Sequence, residues 1–143
     1  MIETAYFATG CFWGAERRFW QLPGVVETAV GYMGGHAASP TYEQVCTGTT
    51  GHAEMVEVVF DNQAISYRRL LEEFFTMHDP TSLNRQGGDI GSQYRSAVYY
   101  ANDNQREAIE SGAKLYAAAL AAAGHGPIVT EVLSADGMTF WMA

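Results

Sequence analysis

The sequence of 143 residues contains few cysteines, few basic residues and no long apolar run. Its two cysteines, Cys11 and Cys46, are too few for a disulfide framework and form no Cys-x-x-Cys pair. Sparse cysteine usage favours a reducing internal compartment, so we expect a cytoplasmic location. Eight basic residues against sixteen acidic ones give a net charge of −8 without a basic stripe, which disfavours nucleic-acid binding.

Further absences exclude other classes of protein. No apolar run approaches the roughly 18 residues of a membrane span, and the first residues lack the basic region of a signal peptide. We therefore expect neither a membrane span nor secretion. The four histidines are far apart and show no metal-ligand spacing, and glycine-rich phosphate-binding motifs are missing. We expect no bound metal or cofactor.

The length fits one domain, and a hydrophobic fraction of 48% can form a core. Hydrophobic periodicity and turn residues predict strands over 4–9, 25–32, 54–60, 96–100 and 128–133, and helices over 11–21, 41–46, 67–78 and 102–124. The order predicts an α+β fold of the ferredoxin-like, split βαβ type. It is a two-layer sandwich with an extra helix, an extra strand and long functional loops.

The most informative segment is Gly10-Cys11-Phe12-Trp13-Gly14, between the first predicted strand and the first predicted helix. A thiol at a helix N-terminus is favoured as thiolate by the free amides and the helix dipole. The two aromatic residues would provide an apolar wall for the non-polar end of a ligand. A purely structural interpretation is also open, in which Cys11 is a small buried residue and the aromatics belong to the core.

Three polar segments, 40–42, 49–54 and 85–96, offer further reactive groups. Their candidate residues are Tyr42, His52, Glu54, Asp89 and Tyr94. Each has an ordinary structural alternative, such as a rim aromatic, a turn histidine, an exposed strand end or a turn-forming aspartate.

Six motifs together follow the order and spacing of one known family. They are GCFWG at 10–14, GYxGG at 31–35, PTY at 40–42, VCxGxTGHAE at 45–54, HDPT at 78–81 and RQGxDxGxQYRS at 85–96. From about Tyr6 to its end, the chain closely resembles the peptide methionine sulfoxide reductases of the A class. The resemblance implies thiol-dependent reduction of the S epimer of methionine sulfoxide, free or in proteins, to methionine.

The resemblance implies that Cys11 is the nucleophile and Glu54 the acid. Elementary chemistry agrees, because a thiolate attacks a sulfoxide sulfur only when the sulfoxide oxygen is protonated or hydrogen-bonded. A carboxyl group is an acid near neutral pH only if burial raises its pKa, and Glu54 opens an apolar strand. The expected product on the protein is a sulfenic acid at Cys11.

The resemblance also implies the residues that surround the substrate. Tyr42 and Tyr94 would donate hydroxyl hydrogen bonds to the sulfoxide oxygen, which phenols do at neutral pH without any tuning. Phe12 and Trp13 would form the pocket for the substrate methyl group. Asp89 would be a supporting polar residue.

A second thiol must reduce the sulfenic acid before the next turnover. We expect an external donor of the thioredoxin type, the glutaredoxin type or a small thiol. The alternative is that Cys46 acts as the resolving cysteine. The chain is expected to act as one catalytic domain over 1–143, as a monomer, without the acidic, tyrosine-bearing C-terminal tail with which the family usually continues.

Two other functions are compatible with the residues. Cys11 with His52 as base would suit a hydrolase or acyltransferase, although no oxyanion motif accompanies them. A non-catalytic domain could instead bind oxidised or methionine-bearing peptides through Phe12 and Trp13. A covalent acyl-enzyme would indicate the first, and binding without turnover in the presence of thiol the second.

Overall fold

The computed structural model describes all residues from Met1 to Ala143. Its elements follow in the order β1 (Ile2–Thr9), α1 (Phe12–Trp20), β2 (Val25–Met33), α2 (Tyr42–Cys46), β3 (Ala53–Asp61), α3 (Tyr67–Thr76), β4 (Arg85–Gln86), β5 (Asp89–Ile90), β6 (Ser96–Tyr100), α4 (Asp103–Ala122), β7 (Glu131–Ser134) and β8 (Trp141–Met142). A 3-10 helix over Ser92–Tyr94 precedes β6. None of the helices combines the length and the apolar character that crossing a membrane requires.

Six strands form the main sheet, in the order β7-β6-β1-β3-β2-β8. The four central strands pair antiparallel, whereas β7 pairs parallel with β6 at one edge. The central order β6-β1-β3-β2, with α1 and α3 as the two crossover helices, is the split βαβ arrangement. The α+β, ferredoxin-like fold predicted from the sequence is confirmed.

The larger core lies between the sheet and the helices. Phe7 of β1 is fully buried, with its ring centroid 4.9 Å from that of Phe19 in α1 and 5.4 Å from that of Phe74 in α3. Aromatic pairs at these distances add to the free energy of burial. The three rings therefore attach both crossover helices to the central strand, immediately before the segment that carries Cys11.

A smaller cluster covers part of the opposite sheet face. Met33, Met55 and Tyr99 are buried there against the C-terminal segment, which contributes Met138 and Phe140. The short strand β8 then pairs with β2. This strand was not predicted, because two residues carry no measurable period.

Two other segments differ from the prediction in detail. The last predicted strand, 128–133, is observed as Glu131–Ser134, because pairing with β6 starts only at Glu131. The stretch 79–93, which separates the predicted helix 67–78 from the predicted strand 96–100, contains the small hairpin of β4 and β5, whose strands are too short to predict from periodicity. The other strands and helices lie within a few residues of their predicted bounds.

Candidate active site

A cavity of about 150 Å³, called the aromatic cavity, opens beside the start of α1. Its walls are Cys11, Phe12, Trp13, Tyr42, Glu54, Asp89 and Tyr94. These seven residues are separated by up to 83 positions in the sequence, from 11 to 94. The structure thus brings together every residue for which the sequence predicts a catalytic or substrate-binding role, apart from Cys46.

Cys11 is the N-cap residue of α1 and is exposed as a free thiol. Its side chain makes no capping hydrogen bond, so the sulfur is available to a ligand. The preceding Gly10 has φ of +102°, and a Cβ at this position would lie 2.8 Å from Cβ of Gln86. Only glycine satisfies both the backbone conformation and the close packing that turn the chain from β1 into the cysteine.

Gln86 ties the β4–β5 hairpin to the neighbouring loop. Its Oε1 accepts a hydrogen bond from the backbone N–H of Asp79 at 3.0 Å, and its Nε2 donates to the carbonyl oxygen of Asp79 at 2.7 Å. The same side chain packs over Gly10, and the hairpin carries Asp89 into the aromatic cavity. Gln86 had no assigned role from the sequence, although it lies within the motif at 85–96.

Glu54 lies at the base of the aromatic cavity, near the start of β3, and only 3% of its surface is exposed. Its Oε1 accepts a hydrogen bond from the backbone N–H of Phe12 at 3.3 Å. Burial raises the pKa of the Glu54 carboxyl to about 7; the Phe12 N–H opposes that rise, and the negative charge of Asp89 adds to it. A substantial part of the Glu54 population therefore holds a proton at neutral pH, as an acid requires.

Tyr42 is the first residue of α2 and is oriented by the preceding Thr41. The Thr41 hydroxyl accepts from the backbone N–H of Gln44, and the Gln44 side chain accepts from the backbone N–H of Thr41, which is a reciprocal capping box. Side-chain interaction with Cys46, one turn further along α2, raises the pKa of the Tyr42 phenol. Tyr42 therefore remains protonated at neutral pH and can donate a hydrogen bond.

Tyr94 ends the 3-10 helix and faces the same cavity. Burial raises the pKa of its phenol, and the negative charge of Glu54 adds to this effect. The following residue, Arg95, donates to the carbonyl oxygens of Ser92 and Gly51, each at 2.9 Å. Arg95 thereby connects the turn that carries Tyr94 to the segment that leads into Glu54, a role that the sequence did not reveal.

Phe12 and Trp13 form the apolar wall in different ways. Phe12 is buried, and its ring centroid lies 5.9 Å from that of the buried Tyr32 in β2. Trp13 is 74% exposed, with its ring centroid 6.5 Å from that of Phe12. The wall therefore has a fixed inner part and an outer part that remains open to solvent.

His52 does not reach the aromatic cavity. It is buried, its Nδ1 accepts from the backbone N–H of Gly35 at 2.9 Å, and its Nε2 donates to the carbonyl oxygen of Ala37 at 2.6 Å. Both ring nitrogens are thus engaged with the loop after β2. His52 is not arranged as a base for Cys11, and the hydrolase alternative receives no support from the geometry.

Cys46 lies outside the aromatic cavity, at the end of α2, and is an exposed free thiol. It is one helical turn from Tyr42. The structure contains no group of three or more His, Cys, Asp or Glu side chains that could hold a metal ion.

The family model described as peptide methionine sulfoxide reductase matches residues 3–143. Peptide methionine sulfoxide reductase MsrA of Azotobacter vinelandii is 56% identical over 142 residues, which cover 99% of this chain and 65% of that protein. The chain therefore spans slightly less than two thirds of the length of this curated relative.

Solved structures give the same relationship. Methionine sulfoxide reductase A of Corynebacterium diphtheriae is 46% identical, with a TM-score of 0.94 and coverage of 99% of this chain and 70% of that chain. Mxr1 of Saccharomyces cerevisiae in its reduced form is 31% identical, with a TM-score of 0.80, covering 93% of this chain and 76% of that one. Mxr1 was also solved in complex with Trx2, at 22% identity and a TM-score of 0.64, covering 96% and 79%, a likeness of fold alone.

Proposed function

The chain belongs to the peptide methionine sulfoxide reductase family, and we propose that it reduces the S epimer of methionine sulfoxide, free or in proteins, to methionine. The observation that carries the proposal is the pairing of Cys11 with a buried carboxyl group whose pKa is about 7. A cavity of about 150 Å³ with an aromatic wall surrounds the pair and suits a methyl sulfoxide group. Residues 1–143 would act as one catalytic domain.

The first half of the reaction uses Cys11 and Glu54. The thiolate of Cys11 attacks the sulfoxide sulfur while protonated Glu54 gives its proton to the sulfoxide oxygen. In the net step the S–O bond of the substrate breaks and an Sγ–O bond forms on Cys11. The substrate sulfur gains the two electrons that the cysteine sulfur loses, so the products are methionine and a Cys11 sulfenic acid.

The remaining groups of the cavity orient the substrate. The phenols of Tyr42 and Tyr94 would donate to the oxygen, and Phe12 and Trp13 would contact the methyl group. The site would fix the oxygen, the methyl group and the side from which Cys11 attacks. Only one sulfoxide epimer can then bind in a reactive orientation. Asp89 would support the site through its charge, which helps to keep the Glu54 proton in place.

The second half of the reaction requires an external thiol. We propose a thioredoxin-type, glutaredoxin-type or small-thiol donor, in a reducing cytoplasmic setting, without a bound cofactor. The exposure of Cys11 supports direct attack by such a donor, and the yeast relative Mxr1 was solved in complex with Trx2. Cys46 remains the alternative resolver, because it lies one turn from Tyr42 at the edge of the site.

The test is reduction of an equal mixture of the two sulfoxide epimers of N-acetyl methionine sulfoxide, with dithiothreitol as donor. Wild-type protein should consume the S epimer alone, and Cys11→Ser should abolish turnover. Cys46→Ser is measured beside it, because equal loss in both variants would assign the chemistry to the cysteine pair rather than to Cys11. Undiminished turnover by Cys11→Ser, or equal consumption of both epimers, would overturn the proposal.

A further inference from the structure

Cys11 lines two cavities rather than one. The second, of about 330 Å³, is called the helix-side groove, and its walls include Gly14, Arg18, Met77, His78 and Gln86. Cys11 and Asp89 are the only residues common to the helix-side groove and the aromatic cavity. Cys11 therefore belongs to the boundary of both spaces.

The two spaces differ in the groups that they present to the sulfur. Glu54, Tyr42 and Tyr94, the acid and the hydroxyl donors, line the aromatic cavity, and none of them lines the helix-side groove. If the sulfoxide oxygen is transferred to Cys11 in the aromatic cavity, the hydroxyl group of the sulfenic acid points into that cavity. The helix-side groove is the other cavity that Cys11 lines, and it contains neither the acid nor the hydroxyl donors.

We propose that the helix-side groove is the binding site of a low-molecular-weight thiol that reduces the Cys11 sulfenic acid. This inference rests on the proposed function. Displacement at a divalent sulfur is in line, so the attacking sulfur must approach from the side opposite to the leaving oxygen. The aromatic cavity would hold that oxygen, so the proposal assigns the approach of the thiol to the groove, whose volume is sufficient for a small aliphatic thiol.

The step balances without any further reactant. The thiolate RS⁻ attacks Sγ of Cys11, an S–S bond forms, and the Sγ–OH bond breaks. The hydroxide leaves as water with a proton from Glu54, which has regained one from solvent after the first half-reaction, and the proton of the thiol passes to solvent. A second molecule of thiol then attacks the mixed disulfide, which restores Cys11 and releases RSSR.

The walls of the groove offer apolar contact to a thiol ligand and include one carboxylate, that of Asp89. Met77 and Ala15 offer contact to its carbon chain. The Arg18 guanidinium lies 3.1 Å from the Glu73 carboxylate and is held in place by it. His78 is engaged through both ring nitrogens, with the carbonyl oxygen of Phe74 at 2.6 Å and Oγ of Ser96 at 2.7 Å.

Gly14 makes the groove testable without altering the aromatic cavity. It lies in the first turn of α1 and lines the helix-side groove but not the aromatic cavity. A Cβ added there meets no atom within 4 Å. A leucine at this position should therefore fill part of the groove, and replacing glycine in a helix favours folding by up to about 1 kcal/mol. Gly14→Ala is the matched control, because it carries the helix effect without the bulk. Gly88→Leu controls for a leucine at an open glycine outside both cavities.

The experiment separates the two half-reactions. Reduced protein is mixed with N-acetyl methionine sulfoxide without thiol, and the methionine product is measured by rapid quenching. The substrate is then removed, 2-mercaptoethanol is added, and samples are trapped with dimedone. Trypsin places Cys11 in the peptide 1–17 and Cys46 in the peptide 19–68, so mass spectrometry reads the sulfenic acid and the mixed disulfide of Cys11 alone.

Gly14→Leu should form methionine within about twofold of the Gly14→Ala rate and lose its sulfenic acid to 2-mercaptoethanol at least about tenfold more slowly. Gly88→Leu should match wild type in both steps. The inference would be overturned if Gly14→Leu and Gly14→Ala lost their sulfenic acid at equal rates. It would also be overturned if Gly14→Leu slowed both half-reactions by the same factor. If wild type forms no methionine, the proposed function fails instead. The groove is then tested by the same comparison on Cys11 sulfenic acid made with hydrogen peroxide.

Discussion

The backbone N–H of Phe12 donates a 3.3 Å hydrogen bond to Oε1 of Glu54, across 42 positions of the chain. This bond joins the residue after Cys11 to a carboxyl group on the central sheet. Because the donor is a backbone group at the start of a helix, the position of the donor does not depend on a side-chain rotamer. Oε1 accepts from Phe12, so in the proposed mechanism Oε2 would carry the proton to the substrate.

The first prediction concerns Glu54 as the acid. Glu54→Gln should slow methionine formation in a single turnover by about 10²–10⁴-fold, the usual contribution of a general acid. With a pKa of about 7, wild-type Glu54 loses its proton as the pH rises through neutrality, so a falling limb of the rate is expected there. The variant should lack this limb. Glu57→Gln, on the same strand but outside the aromatic cavity, is the control; an identical pH profile for wild type and Glu54→Gln would remove Glu54 from the acid role.

The second prediction is a pH-dependent stability effect of the same residue. Burial raises the Glu54 pKa from 4.5 to about 7, so the folded protein holds this proton more tightly than the unfolded chain. The stabilising contribution is complete below about pH 4.5 and is lost as the pH rises to about 7. Glutamine does not titrate, so Glu54→Gln should gain unfolding free energy relative to wild type between about pH 5 and pH 8, on the order of 1–3 kcal/mol. Urea unfolding of wild type and Glu54→Gln at about pH 5 and about pH 8 measures the gain. A difference in unfolding free energy that does not change with pH would contradict the raised pKa of Glu54.

The third prediction has the opposite sign and concerns His78. Burial lowers its pKa from 6.5 to about 4, although its contact with Phe74 opposes the shift. The unfolded chain therefore binds a proton more readily, and stability is lost as the pH falls from about 6.5 towards 4. His78→Gln should therefore lose less unfolding free energy than wild type between about pH 7 and about pH 4.5. The measurement is urea unfolding at about pH 7 and pH 4.5; an equally steep acid loss in the variant would assign that loss to other groups.

The fourth prediction concerns the turn before the nucleophile. Gly10→Ala combines a φ of +102° with a Cβ only 2.8 Å from Gln86, so we expect a loss of unfolding free energy of about 1–3 kcal/mol. The turnover rate should fall as well, because the turn places Cys11. Gly88→Ala is the matched control, since it lies in the adjacent hairpin with open space around its Cα. Equal denaturation midpoints for the two variants would show that the close contact is not a constraint.

The fold was predictable because its signals are periodic and local. The helix from Tyr67 shows the expected apolar spacing, and Ser66 accepts a hydrogen bond from the backbone N–H of Arg69 as a capping residue should. The start of α4 is capped by Asn102, whose Oδ1 accepts from the backbone N–H of Gln105, but the Gln105 side chain accepts from the backbone N–H of Ala101 and not from that of Asn102, as a reciprocal capping box would require. Such choices depend on neighbouring strands, which a local pattern does not contain.

The residues that line the aromatic cavity were predictable from motifs, but the hydrogen bonds that position them were not. Cys11, Glu54 and Tyr94 belong to separate motifs that meet at one cavity. Gln86 binds the backbone of the neighbouring loop and Arg95 that of a distant segment, and a side chain that binds backbone leaves no pattern in a single sequence. The division of space around Cys11 into two cavities likewise depends on the packing of α1 against the hairpin.

The most direct test of the central claim is mass spectrometry of the protein after one turnover with methionine S-sulfoxide in the absence of thiol. The proposed function predicts one methionine per protein and one added oxygen on Cys11, in the tryptic peptide 1–17. A disulfide between this peptide and 19–68 would retain the reductase function but make Cys46 the resolver. Methionine formed with Cys11 unmodified, or no methionine at all, would contradict the assignment of Cys11 as the nucleophile.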